Sequence, residues 1–130
     1  MTFTGKALII DDEPHVRKYI GLIMRSIGAT TIIEASDGAE GFATYQQERP
    51  DLVLLDVNMP VQDGIETLKH IRAFDAGASV IMLTSLSNRQ TIEEAAEEGA
   101  LHYIRKDTPR EELVALLKEL LAEDADQTAD

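Results

Sequence analysis

Val53-Leu54-Leu55-Asp56-Val57-Asn58-Met59-Pro60 is an apolar run of strand length that drives into an acid and is stopped four residues later by proline. Proline lacks the N–H a sheet ladder needs, so the strand ends before it and Asp56 stands at the strand's carboxyl end. Open α/β sheets gather their ligand-binding side chains at that end, because helices cover both faces. A lone Asp in this position would do no more than cap the turn into the next helix. The rest of the chain supplies the reasons to read it otherwise.

Upstream, Ala7-Leu8-Ile9-Ile10 is a second buried run that ends in Asp11-Asp12-Glu13-Pro14, a strand followed by a helix with proline in its first turn. Val16, Ile20, Ile23 and Ile27 recur at helical spacing, and Gly28 is the expected stop. Thr30 to Ala35 is rich in β-branched residues and reads as a strand. Asp37 and Glu40 then have capping-box spacing for a helix whose buried face would begin with Ala39, Phe42 and Ala43. Beyond Asp56, Asp63 opens a helix with Ile65, Leu68 and Ile71 facing inward.

Val80 to Leu83 is the fourth apolar run and stops at Thr84 and Ser85; Ser87 and Gln90 have capping-box spacing for the helix that follows. Leu101 to Arg105 is half apolar, as suits a sheet edge, and Thr108-Pro109 predicts an N-cap and first position for a last helix striped with leucines. Five strands alternating with five helices predict a three-layer α/β fold with a parallel sheet. Unbroken apolar strands agree, since central parallel strands are buried on both faces.

The length of 130 residues suits one domain, expected over 1–122, with an acidic and disordered tail over 123–130. There is no cysteine, which excludes a disulfide framework and a thiolate metal site. The net charge of −12 disfavours nucleic acid and anionic lipid as partners. No run approaches membrane-spanning length and no signal-peptide layout opens the chain, so a cytoplasmic location is expected.

The polar residues that end the strands form a short set: Asp11 and Asp12, Asp56, Thr84 and Ser85, and Lys106. Adjacent first and third strands would crowd three carboxylates into one pocket, and their repulsion calls for a cation. An all-oxygen site with few protein ligands suits Mg²⁺. A carboxylate nucleophile, a divalent cation, a hydroxyl and an ammonium are the parts that phosphoryl transfer needs.

Ile9 to Pro14, Leu55 to Gly64, Thr84-Ser85 and Tyr103 to Lys106 stand in the order and spacing of one family: from about Lys6 to Ala122 the chain resembles the receiver domains of two-component response regulators. The resemblance implies a flavodoxin-like (βα)5 fold with strand order 2-1-3-4-5. It implies phosphorylation at Asp56 and an acid pocket of Asp11 and Asp12. Mg²⁺ would be held by Asp12, Asp56 and the Asn58 backbone carbonyl, with Asp11 acting through water. Lys106 would pair with the phosphoryl group, Thr84 would be the switch hydroxyl and Tyr103 the switch aromatic, while Asn58 and Leu86 would tune dephosphorylation.

The implied partners are a histidine kinase or histidine phosphotransfer protein, and a downstream protein bound on the face of helix 4, strand 5 and helix 5. One departure is Asp107, where the family usually has proline after the active-site lysine, often through a cis bond. A cis bond before a non-proline residue costs roughly 3–4 kcal/mol, so trans is expected here. Two rivals stand beside the receiver reading: a Mg²⁺-dependent phosphatase, for which Asn58 lacks the carboxyl of an acid–base shuttle, and a non-phosphorylated binding module. His15, His70 and His102 make no ligand pattern, and Glu93, Glu94, Glu97 and Glu98 read as a solvated helix face.

Overall fold

The computed structural model describes residues 5–57, 59, 63–84 and 89–129, with side chains described as far as Leu121. Its elements are β1 (Lys6–Ile10), α1 (Pro14–Ser26), β2 (Thr31–Ala35), α2 (Gly38–Glu48), β3 (Leu52–Asp56), α3 (Gly64–Phe74), β4 (Val80–Thr84), α4 (Arg89–Glu97), β5 (His102–Arg105) and α5 (Arg110–Ala129). The five strands form one parallel sheet in the order β2-β1-β3-β4-β5. Strand order and layer count are those expected.

Side chains alternate across each strand, and this divides the core in two. Ile9, Leu54, Ile81 and Leu83 pack against Ile20, Ile23 and Met24 of α1 and Leu113 and Leu117 of α5. Leu8, Ile10, Val53, Leu55 and Met82 face the other way, against Tyr45 of α2, Leu68 and Ile71 of α3, and Ala95 of α4. Every residue of β3 and β4 is buried, as central parallel strands require. Among the described residues, no helix is long and apolar enough to cross a membrane.

Local signals mostly act where the sequence puts them. Pro14 opens α1, and Gly28 follows it with φ 120°, a conformation open to glycine. Asp37 accepts the Glu40 N–H at 2.8 Å and Asp63 accepts the Glu66 N–H at 2.9 Å. The expected cap at Ser87 lies outside the described residues.

Three expectations need revision. The buried face of α2 is Gly38, Gly41 and Tyr45, whereas Ala39 and Ala43 are exposed and Phe42 is half-buried. The helix approaches the sheet through Gly41, where a Cβ would stand 2.5 Å from Cδ1 of Ile10, so a glycine sets the inward face. Thr108 does not cap α5 as expected: its hydroxyl donates to the Arg105 carbonyl at 2.7 Å and closes the turn, and the helix begins at Arg110. Helix α5 also runs on to Ala129, through residues whose acidic composition suggests a tail.

Candidate functional site

Four side chains from four strand ends meet at the carboxyl rim. β1 ends one residue before Asp11, which is fully buried, and β3 ends on Asp56, 1% exposed. β4 ends on Thr84, also fully buried, and Lys106 follows the end of β5. The ladder carries this convergence: Val57 N–H donates to the Leu83 carbonyl at 2.9 Å, and Lys106 N–H to the Thr84 carbonyl at 2.6 Å. Adjacent parallel strands therefore deliver their chemistry at one level.

The Lys106 ammonium stands 2.7 Å from Oδ2 of Asp11 and 3.2 Å from Oδ2 of Asp56, with Glu13 at 3.5 Å. Burial disfavours its charged form, but the bond to Asp11 and the charges of Asp56 and Asp11 outweigh this and raise its pKa above the ordinary value. Lys106 is held as a cation.

Asp11, Asp12 and Asp56 each offer a carboxylate oxygen, and these atoms lie within 4.8 Å of one another. One ammonium cannot balance three carboxylates, two of which are buried. The residual negative charge and the all-oxygen donor set fit a hard divalent cation such as Mg²⁺. The residues present suit the ion.

The loop that carries Asp11 and Asp12 is pinned from two sides. Oδ1 of Asp11 accepts the Glu13 N–H at 2.9 Å, and its own N–H donates to Ala35 at 3.1 Å. Arg17, one turn into α1, donates to the Asp11 carbonyl at 2.7 Å while its Nε reaches Glu34 at 2.9 Å. Sequence reading missed Arg17 and gave Glu13 no contact with the lysine. An arginine on an exposed helix face carries no signal that its long side chain turns back to a loop carbonyl.

On the other side of the pocket, Gly64 opens α3 against the end of β3. A Cβ there would collide with the Asp56 carbonyl oxygen and stand 2.7 Å from Cα of Val57, so only glycine lets the helix approach. Its N–H donates to the Val57 carbonyl at 2.8 Å. The backbone at Asp56 and Val57 is thereby held by a helix start.

Tyr103 lies away from the carboxylates. It pairs in register with Met82 and packs on the α4 side of the sheet, half-buried, its hydroxyl inaccessible and without a hydrogen-bond partner among the described residues. Asn58, Ser85 and Leu86 lie outside the described residues. No cis peptide occurs among those described, so Lys106 and Asp107 are joined in trans as expected. Asp107 instead takes the Arg105 guanidinium in a two-point fork, at 2.9 and 2.8 Å, and that guanidinium lowers its carboxyl pKa.

A parallel 2-1-3-4-5 sheet with an acid cluster and a lysine on its rim has clear relatives. The family model described as the response regulator receiver domain matches residues 7–118, and the chain belongs to this family. It is 33% identical over 116 residues to the chemotaxis protein CheY of Halobacterium salinarum, covering 89% of this chain and 96% of that one. It is 31% identical over 129 residues to the DNA-binding response regulator MtrA of Mycolicibacterium smegmatis, covering 99% of this chain and 56% of that longer protein. Among solved structures it is similar to one from the CheX–CheY–BeF3–Mg complex of Borrelia burgdorferi, with a TM-score of 0.84, 32% identity, and 89% and 88% of the two chains covered. Receiver domains are signalling proteins and generally not enzymes.

Proposed function

We propose that this chain receives a phosphoryl group on Asp56 from a phosphohistidine of a kinase or phosphotransfer protein, and that the adduct changes which protein it binds. The observation that carries this reading is the position of Asp56, at the carboxyl end of β3, within ion-pair distance of Lys106 and in one cluster with Asp11 and Asp12.

In the transfer, an Asp56 carboxylate oxygen attacks phosphorus. A P–O bond forms, the P–N bond to the donor imidazole breaks, and the bond's electron pair leaves with the imidazole. Lys106 neutralises charge on the phosphoryl oxygens, and the Thr84 hydroxyl donates to one of them once the group is in place. Asp12, Asp56 and the Asn58 carbonyl would hold Mg²⁺, with Asp11 reaching it through water; the bound ion supplies further neutralisation of the transferring group.

The switch is a population shift: the phosphoryl group binds Thr84 and Lys106 better in one of two arrangements of Thr84 and Tyr103. The surface that changes lies beside Tyr103, on α4, β5 and α5, and is assigned to the downstream protein. Such a relay places the chain in the cytoplasm.

Intact-protein mass after incubation with Mg²⁺ and a small-molecule phosphodonor tests the reading. One phosphoryl addition is expected on the wild type and none on Asp56→Asn. Steady release of inorganic phosphate without an adduct would assign the pocket to a phosphatase, and neither signal would leave a binding module.

A further inference from the structure

Arg17 stands one turn into α1, near the helix end where the dipole disfavours a cation. Its place answers to what it holds. Past Ala35 the β1–β2 ladder stops, and the Asp11 carbonyl takes its hydrogen bond from the Arg17 guanidinium at 2.7 Å, while the Asp11 N–H still reaches the Ala35 carbonyl. The Asp11 backbone is therefore held at both ends.

The holder is itself held. The Arg17 side chain is only 15% exposed, and its Nε donates to Glu34 of β2 at 2.9 Å, in an ion pair. Glu34 and Ala35 are neighbours, so the edge strand, which adds no carboxylate to the cluster, grips the acid loop at two points. Asp12 depends most on that grip. It is exposed, and among the described residues its carboxylate has no hydrogen bond or ion pair of its own, yet its oxygen lies within 4.8 Å of those of Asp11 and Asp56. Its direction is set by the backbone that carries it, and the peptide joining Asp11 to Asp12 is the one Arg17 holds.

We propose that Arg17, anchored by Glu34, is a positioning residue for the cation site: by fixing the Asp11–Asp12 peptide it aims the Asp12 carboxylate into the cluster. This rests on the receiver reading for the use of the ion and adds a residue outside the cluster itself. Losing a hydrogen bond that orients a ligand group typically weakens metal binding by about 10–100-fold. Charge alone predicts the opposite sign, because removing a cation near three carboxylates would tighten a divalent ion.

The test is titration of the full, metal-free chain with Mg²⁺ alone, followed by backbone amide NMR shifts, which also report folding. Arg17→Met keeps the stem and removes the donors, and its dissociation constant is expected to rise about tenfold. Glu34→Ala, at an exposed side chain, leaves the guanidinium unanchored and should raise it about threefold. Lys18→Met removes an exposed charge from the same helix and should stay within about twofold of wild type. The rate of Asp56 adduct formation, read against Mg²⁺ concentration, should shift its half-saturation with the dissociation constant, so that raised Mg²⁺ recovers the rate lost in Arg17→Met. An unchanged or lower dissociation constant in Arg17→Met, an equal rise in Lys18→Met, a lost rate that Mg²⁺ does not recover, or no Mg²⁺ binding by the wild type would each overturn the proposal. Should Arg17→Met not fold, the Glu34→Ala titration decides in the same way. Wild type that binds Mg²⁺ but forms no adduct removes the receiver reading and leaves the titrations to decide on Arg17; an adduct with unaltered affinities in the variants does the reverse.

Discussion

Lys106 lies closer to Asp11 than to Asp56, at 2.7 Å against 3.2 Å. The ammonium bridges two buried carboxylates from different strands, and a third, Asp12, is near enough to share a cation with them. Charge balance in the pocket therefore links the ion to the lysine.

Mg²⁺ should stabilise the wild type by about 1.4 kcal/mol at ten times its dissociation constant, as for any ligand that binds only the folded state. Asp12→Ala should remove that increment. Because Asp12 is exposed and part of a repelling cluster, the variant should unfold no more easily than wild type when metal is chelated. Thermal melts with Mg²⁺ or chelator check both halves, and an undiminished Mg²⁺ increment would remove Asp12 from the ligand set.

Lys106→Met takes the ammonium from two buried acids. Removing one partner of a buried ion pair typically costs about 3–5 kcal/mol, and this should appear in chemical unfolding without metal. Added Mg²⁺ should then stabilise the variant more than the wild type, since the ion supplies the missing positive charge. Equal increments would show that lysine and metal act independently.

Gly64→Ala should lower stability by about 1–3 kcal/mol, because the added methyl meets backbone that cannot swing aside. It should also slow Asp56 phosphorylation, measured as the rate of adduct formation. An unchanged rate in a folded variant would mean that the approach of α3 to β3 does not position Asp56.

Tyr45 donates its hydroxyl proton to Asp75 at 2.6 Å across the α2–α3 contact. That bond, then the Gly77 N–H, lowers the Asp75 pKa below its ordinary 3.8. A lowered folded-state pKa contributes stability that is present above the unfolded value and lost as pH falls through the folded one. Tyr45→Phe should cost about 1 kcal/mol at neutral pH. The difference from wild type should fade below the ordinary carboxylate range. Urea unfolding near neutrality and in acid gives the comparison, and a difference constant with pH would sink the assignment.

The pocket was readable because parallel strands put their chemistry at their ends. Asp11 and Asp56 each close an apolar run and Lys106 follows a half-apolar edge strand, so period and punctuation locate them. The inward face of α2 was not readable, because Gly38 and Gly41 carry no hydropathy and their role is to let Ile10 approach. Arg17 was hidden for the opposite reason: its charge suggests solvent, while its guanidinium ends on the Asp11 carbonyl. Thr108 had the right residue type beside a helix start, but its hydroxyl was taken by the turn behind it.

Lys106 follows the last strand, and the acids it meets follow the first and third. A nascent chain still lacking its fifth strand has the negative charges of the pocket without the lysine that answers them. The charge balance of the rim is therefore closed only once the fifth strand has been made and has docked beside the fourth.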